Sequence, residues 1–593
     1  MKLTMNRLKM VTVFLQVFLM LVCVQAQPEI LTTHGNVEGF RQTVLDVDVD
    51  TYFGIPFALP PVGDLRFQPP VDASPWNDTR NATTKHNSCH TVIDTAFDRR
   101  KGVEMWNTNT PMSEDCLYLN VWMPRGVSLS TNKPMATMVW IFGGGFWGGT
   151  PTLDVYDGKY LAASNDVIVV SINYRTGPLG FLYLGTQDIP GNMGLLDQQL
   201  ALRWVFQNVE KFGGDKSMIT LFGESAGAAS SGLHLFSPGS KDYFSRIILE
   251  SGSPLADWTL MSNNKAEERA RKFSSLVGCD VTDKVATFNC LLTKNASDLS
   301  LAQWNVVDGG LLDVPFPPVV DREFLMDEPR KLLATGDYKQ TDVLMGVVKD
   351  EGSYWLLYGL KQYFGLENNT TLTRSDFMTC LNTLLFGKGE KVKDGVAAFY
   401  ADGVPPVLRE SYRDILDDIS GDSIFKCPVI EFGNIVSNRS NVYLFTFDER
   451  VESLPWPEWL GVPHGYEIEV VFGLPLNPAL QYTPSEIELS KKMMKYWTNF
   501  AKTGDPNGLN LAVWPTYNVT SQDYVILDSN TTDFIQHGLR TPQCSFWSSI
   551  VPLIQNTDDL TTKPPDACTN GTSAYYSITC IFLVTIFTLY TGL

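Results

Sequence analysis

Gly223-Glu224-Ser225-Ala226-Gly227 constrains this chain more than any other stretch. It follows the apolar, β-branched run Ser217-Met218-Ile219-Thr220-Leu221-Phe222 and precedes small residues able to open a helix. A strand, a sharp turn and a helix joined by G-x-S-x-G hold a serine hydroxyl at the end of a strand, ready to attack. The flanking glycines allow a strained turn and a close backbone approach that a Cβ would block. Ser225 is therefore the candidate nucleophile.

The rest of the chain is read against that turn. Short β-rich runs at 136–142, 167–173, 219–222, 247–251, 343–347 and 442–447 alternate with helical-period stretches such as 195–212, 265–276 and 486–503. This alternation predicts an α/β protein with a mixed, mostly parallel central sheet covered by helices on both faces. With no internal repeat, low-complexity segment or Gly/Ser linker, residues 27–547 read as a single large domain.

Both ends carry targeting signals. Lys2, Arg7 and Lys9, an apolar run over 10–24 and the small-residue site Val24-Gln25-Ala26 predict a signal peptide over 1–26. Residues 575–593 are apolar and not followed by Lys or Arg, and the small residues 570–574 precede them. That pattern predicts a removed GPI-anchor signal, with a retained tail anchor as the alternative. Residues 548–574 would then be a dimerisation and spacer segment. Sequons at Asn77, Asn81, Asn295, Asn368, Asn369, Asn438, Asn518, Asn530 and Asn570 fit a glycosylated ectodomain. Of ten cysteines, Cys23 and Cys580 fall in the terminal signals, leaving an even count suited to an oxidising compartment. The net charge of −19 gives no reason to expect nucleic acid as a partner and favours cations at the surface.

A serine nucleophile needs a base. Where the nucleophile sits on such an elbow, the chain order is serine, acid, histidine, which leaves His464 and His537. His464 lies in the loop Gly461-Val462-Pro463-His464-Gly465, whereas His537 has no comparable setting. Asp350-Glu351-Gly352 directly follows an apolar strand, and catalytic loops gather at such strand ends. Glu351 would orient the His464 imidazole. Gly143-Gly144-Gly145, after another buried strand, suits an oxyanion hole in which Gly144, Gly145 and Ala226 supply backbone N–H donors. This chemistry calls for neither a metal nor an organic cofactor.

From about Gly35 to Trp547 the chain resembles the type-B carboxylesterases, α/β-hydrolases by fold, and within them the cholinesterases. The matching strings are Ser113-Glu114-Asp115-Cys116-Leu117-Tyr118-Leu119-Asn120, Gly223 to Gly227, Lys349-Asp350-Glu351-Gly352-Ser353 and His464-Gly465-Tyr466-Glu467-Ile468-Glu469. The resemblance implies hydrolysis of choline esters at the bottom of an aromatic gorge. Trp106, Glu224 and Tyr354 would hold the choline cation, since an aromatic face attracts a quaternary ammonium without a full counter-charge. Asp94 and Trp304 would stand at the gorge mouth, although Val92 replaces a peripheral tyrosine of vertebrate acetylcholinesterases. Leu312 and Val314 match acyl-pocket positions that are phenylalanine in those enzymes and aliphatic in butyrylcholinesterases. This predicts hydrolysis of both acetyl and butyryl esters, with Phe316 or Trp355 as candidates to refill the space. The resemblance also implies disulfides Cys89–Cys116, Cys279–Cys290 and Cys427–Cys544, an interchain bond through Cys568 in a homodimer, and an extracellular cell-surface location, synapses included. Cys380 is left over as a buried thiol.

Two rivals share the fold. A general carboxylesterase on neutral esters has no need of Trp106 or Asp94. An adhesion protein of this fold would be expected to lack a member of the Ser225, Glu351 and His464 set.

Overall fold

The computed structural model describes residues 27–368, 370–401 and 411–562. The segments expected to be a signal peptide (1–26) and an anchor signal (575–593), together with Cys568, Asn369 and Asn570, lie outside them.

Fourteen strands are described: β1 Glu29–Leu31, β2 Asn36–Glu38, β3 Phe40–Val44, β4 Val47–Pro56, β5 Arg80–Asn81, β6 Tyr118–Pro124, β7 Met135–Ile141, β8 Ile168–Ile172, β9 Gly214–Glu224, β10 Arg246–Glu250, β11 Val343–Val348, β12 Val442–Phe447, β13 Asp523–Leu527 and β14 Ile535–His537. Eleven of them form one sheet in the order β14-β13-β12-β11-β10-β9-β7-β8-β6-β4-β3, and β1, β2 and β5 form a small separate sheet. From β8 across to β13 neighbours run parallel, while the pairs at both flanks are antiparallel.

The sequence explains this division. β7, β11 and β12 are buried along their whole length and read as continuous apolar runs, because helices cover both faces of a parallel sheet. Among those helices, Pro484–Thr503 shows how local chemistry sets the ends. Thr483 and Glu486 make a reciprocal capping box, proline occupies the first turn, and Gly504 closes the helix at φ +83°. The predicted strand 219–222 begins earlier, at Gly214, because its polar first half is a partly exposed extension of a buried strand.

A second, helical core packs Leu356, Phe377, Leu381, Val392, Leu416, Phe546 and Val551 together. Position 547 falls within helical backbone that continues from Thr541 to Thr562.

Candidate active site

The nucleophile elbow is built by β9 and the helix Ala226–Leu233, with Ser225 between them at φ 56°, ψ −120°. A non-glycine residue in that region is strained and needs surrounding structure to hold it. Here the Ser225 N–H donates to the Glu250 carbonyl at 2.8 Å. Glycine is required on both sides: a Cβ on Gly227 would stand 1.9 Å from the Ile141 carbonyl oxygen, and one on Gly223 would stand 2.5 Å from the same atom. Ser225 is 6% exposed.

Glu351 and His464 come together from loops far apart in sequence. β11 ends at Val348, and a bridge between Asp350 and Pro463 ties the turn after it to the histidine loop. The Asp350 carboxylate fastens the same junction by accepting from the Val462 N–H at 2.7 Å. His464 Nδ1 then donates to Glu351 Oε2 at 2.6 Å, and Glu351 Oε1 accepts from the Val348 N–H at 3.0 Å. The other ring nitrogen, Nε2, makes no hydrogen bond among the described residues and lies 3.0 Å from Glu224 Oε1. Such an arrangement fixes the tautomer with Nδ1 protonated and leaves Nε2 available to take a proton.

The glycine loop after β7 closes on the elbow. A Cβ on Gly143 would lie 3.1 Å from the Ser225 Cβ and 2.7 Å from Glu224 Oε2. Gly144 and Gly145 adopt φ 107° and 57°, values suited to glycine. Ala226 is the first residue of its helix, so its N–H has no acceptor within the helix.

Glu224 and Trp106 reach the same point: a Cβ on Gly465, next to His464, would stand 3.4 Å from Glu224 Oε1 and 3.7 Å from the Trp106 ring. Trp106 is held edge-on by Tyr466 at 5.8 Å. The loop that carries it is closed by the disulfide Cys89–Cys116. Burial, followed by the nearby Glu467, Glu351 and Glu250, pushes the Glu224 carboxyl well above the usual carboxylate range. Tyr354 stacks on Tyr358 at 4.7 Å. The Tyr358 hydroxyl donates to Asp94 Oδ2 at 2.8 Å, and Asn107, next to Trp106, accepts from the Asp94 N–H at 2.8 Å. Asp94 is thus tied to both the Tyr354 and the Trp106 walls. Trp304, 38% exposed, packs on Trp147 at 5.1 Å, and Trp147 meets Trp355 at 6.4 Å. Aromatic rings run from an exposed lip down to the buried imidazole.

Leu312 and Val314 line a cavity of about 1020 Å³ with Trp258, Ile424 and Cys427, and Trp258 packs on Phe425 at 5.9 Å. Phe316 packs on Phe273 at 5.2 Å, within the core. The rings against His464 are Phe425 at 4.3 Å and Trp355 at 5.6 Å, stacked on each other at 6.0 Å. Phe425 escapes sequence reading because it sits in a wide helical turn, Asp422–Lys426, with no motif around it.

His537, the other candidate base, is exposed on the edge strand β14 and pairs with Asp523 at 2.5 Å. Cys279–Cys290 and Cys427–Cys544 are also bonded, and Cys380 is a buried free thiol whose pKa burial pushes up to about 12. Asn77, Asn81, Asn295, Asn368, Asn438, Asn518 and Asn530 are all exposed. No helix among the described residues is long and apolar enough to cross a membrane.

Known proteins share this arrangement of sequence. The chain is 44% identical over 536 residues to the acetylcholinesterase of Bungarus fasciatus, covering 90% of this chain and 88% of that protein. It is also 44% identical over 537 residues to the cholinesterase of Mus musculus, with the same 90% and 88% coverage. The sequence profile of the carboxylesterase family matches residues 26–547. The chain belongs to the carboxylesterase family and is a serine ester hydrolase.

Proposed function

We propose that this enzyme cleaves choline esters, acetylcholine and also butyrylcholine, to choline and a carboxylate through an acyl-enzyme. Ser225 Oγ attacks the ester carbonyl while His464 Nε2 takes its proton. Glu351 keeps the imidazole in the required tautomer and stabilises the imidazolium. The oxyanion gains hydrogen bonds from the N–H groups of Gly144, Gly145 and Ala226 as it forms. Choline leaves with the proton from His464. His464 then activates a water that attacks the acyl carbonyl and releases the acid and Ser225.

The observation that carries this reading is the 2.6 Å bond between His464 and Glu351, in a loop whose next residue, Gly465, lies against both Glu224 and Trp106. Catalytic and cation-binding groups therefore meet at one point. Two relatives named for cholinesterase activity support the choline specificity. A neutral-ester carboxylesterase would have no use for Trp106 and Asp94 at these positions.

Three disulfides support a secreted, cell-surface protein. We assign the anchor to a GPI lipid. The partner is a second copy of the chain joined through Cys568, and the exposed Ile550 and Leu553 on the last helix support that pairing. Labelling with a serine-directed phosphonylating agent tests the nucleophile. A single adduct on the Ser225 peptide, with loss of all turnover, is expected, and full labelling elsewhere with activity retained contradicts it.

A further inference from the structure

Lys361 follows the helix Ser353–Gly359, which carries Tyr354 and Tyr358. Its side chain turns back toward that helix. Nζ stands 4.8 Å from the centroid of the Phe97 ring and 5.8 Å from that of Tyr358, over both faces. The two rings meet edge to face at 5.2 Å. Phe97 is presented by an unusual turn in which it, Asp98 and Arg99 have φ of 54°, 56° and 56°. Three non-glycine residues in the left-handed region are costly and need packing to hold them. Lys361 is exposed and the two rings are half-buried, so the ammonium keeps water on one side and takes the ring faces on the other.

This face is the outer step of the aromatic wall that leads to Trp106. Tyr358 stacks on Tyr354, and Tyr354 and Phe97 both meet Trp456 edge-on, at 6.2 and 5.9 Å. Trp456 Nε1 donates to the Tyr466 hydroxyl, and Tyr466 is the ring set against Trp106. The hydroxyl of Tyr358 is spent on Asp94, which leaves its ring face as the part free to attract a cation. An ammonium within about 6 Å of such a face is held by the ring quadrupole, and here the chain supplies that ammonium itself.

We propose that Lys361 is a built-in competitor: its ammonium occupies the face formed by Phe97 and Tyr358, so a mobile quaternary ammonium gains that face only by displacing it. Lys361 is thereby a specificity-determining residue. It concentrates cation binding at the inner face of Trp106, near His464, and denies a second resting place further out. The role in catalysis rests on the reading of this enzyme as a choline esterase; the occupancy of the face does not.

Nuclear magnetic resonance on the mature enzyme tests the occupancy. Reductive methylation places isotope-labelled methyl groups on the lysines and keeps their charge, and Lys361→Arg identifies the Lys361 signal by its loss. That signal is expected upfield of the other lysine signals, through the ring currents of Phe97 and Tyr358. It should move toward them as tetramethylammonium is added, and not with the same concentration of sodium chloride. A Lys361 signal among the other lysines, or an upfield signal that tetramethylammonium leaves in place, overturns the proposal.

A second measurement reads the competition. In a Trp106→Ala background, where the inner face is gone, the Kd of tetramethylammonium should fall by about two- to fivefold on adding Lys361→Met, the worth of an exposed cation–π contact. Lys361→Arg should leave it near the parent value. The gain should persist at high salt, where a general charge effect is screened. An unchanged Kd, or a gain confined to low salt, contradicts the built-in competitor. If the parent hydrolyses a neutral ester as fast as a choline ester, the choline reading fails, while both binding measurements still decide the place of Lys361.

Discussion

Glu351 Oε2 and His464 Nδ1 meet at 2.6 Å across 113 residues of sequence. The bond depends on the Asp350–Pro463 bridge and on Glu351 Oε1 being fixed by Val348. Glu351→Gln would let an amide N–H face Nδ1 and favour the wrong tautomer. We expect kcat to fall by about 10³- to 10⁴-fold with KM little changed. Steady-state kinetics on a thiocholine ester check this, and a loss below about tenfold would remove Glu351 from the triad.

Trp106 separates a choline esterase from a general one. A desolvated cation–π contact is worth about 2 kcal/mol, or about 30-fold in rate. Trp106→Ala should lower kcat/KM for acetylthiocholine by that amount and change an uncharged isostere of the same acyl size by less than about threefold. Equal losses on both substrates would point to the neutral-ester rival or to a packing defect.

Phe425 stands against the His464 imidazole at 4.3 Å. Replacing it by valine opens space on the acyl side. With about 0.8 kcal/mol for each buried methylene, Phe425→Val should raise the butyryl-to-acetyl ratio of kcat/KM by about tenfold. An unchanged ratio would place acyl selection elsewhere, Leu312 and Val314 included.

His234 gives a pH dependence of stability unrelated to catalysis. It is fully buried, with Nδ1 2.8 Å from Ser240 Oγ and Nε2 3.1 Å from Gln198 Oε1. Gln198 Oε1 can only accept, so Nε2 carries the hydrogen and Nδ1 accepts from Ser240. Burial lowers the folded pKa from 6.5 to about 3. The unfolded chain therefore binds the proton first, and this contribution is present above pH 6.5 and lost as pH falls from there toward 3. The slope is about 1.4 kcal/mol per pH unit well below the unfolded pKa. His234→Gln should flatten the fall of Tm between neutral and mildly acid pH relative to the parent, and parallel curves would contradict this account.

The sequence displays the parts of this site that depend on backbone geometry. Gly223 and Gly227 are forced by the approach of Ile141, and Gly143 by the approach of Ser225; such demands leave a motif. The order of Ser225, Glu351 and His464 follows from strand ends of a parallel sheet, which periodicity makes visible. Phe425 is different. Its position matters through what tertiary packing brings beside it, and an isolated Phe has no local pattern that marks it. The antiparallel flanks of the sheet were equally hidden, since a strand's own residues do not state its partner's direction.

The most direct measurement is a set of initial rates for the secreted, tail-truncated enzyme on acetylthiocholine, butyrylthiocholine and an uncharged ester of matched acyl size, with Ser225→Ala as the blank. The account predicts Ser225-dependent turnover with kcat/KM for both choline esters well above that for the neutral ester. Equal or faster hydrolysis of the neutral ester, or no Ser225-dependent turnover at all, would contradict it.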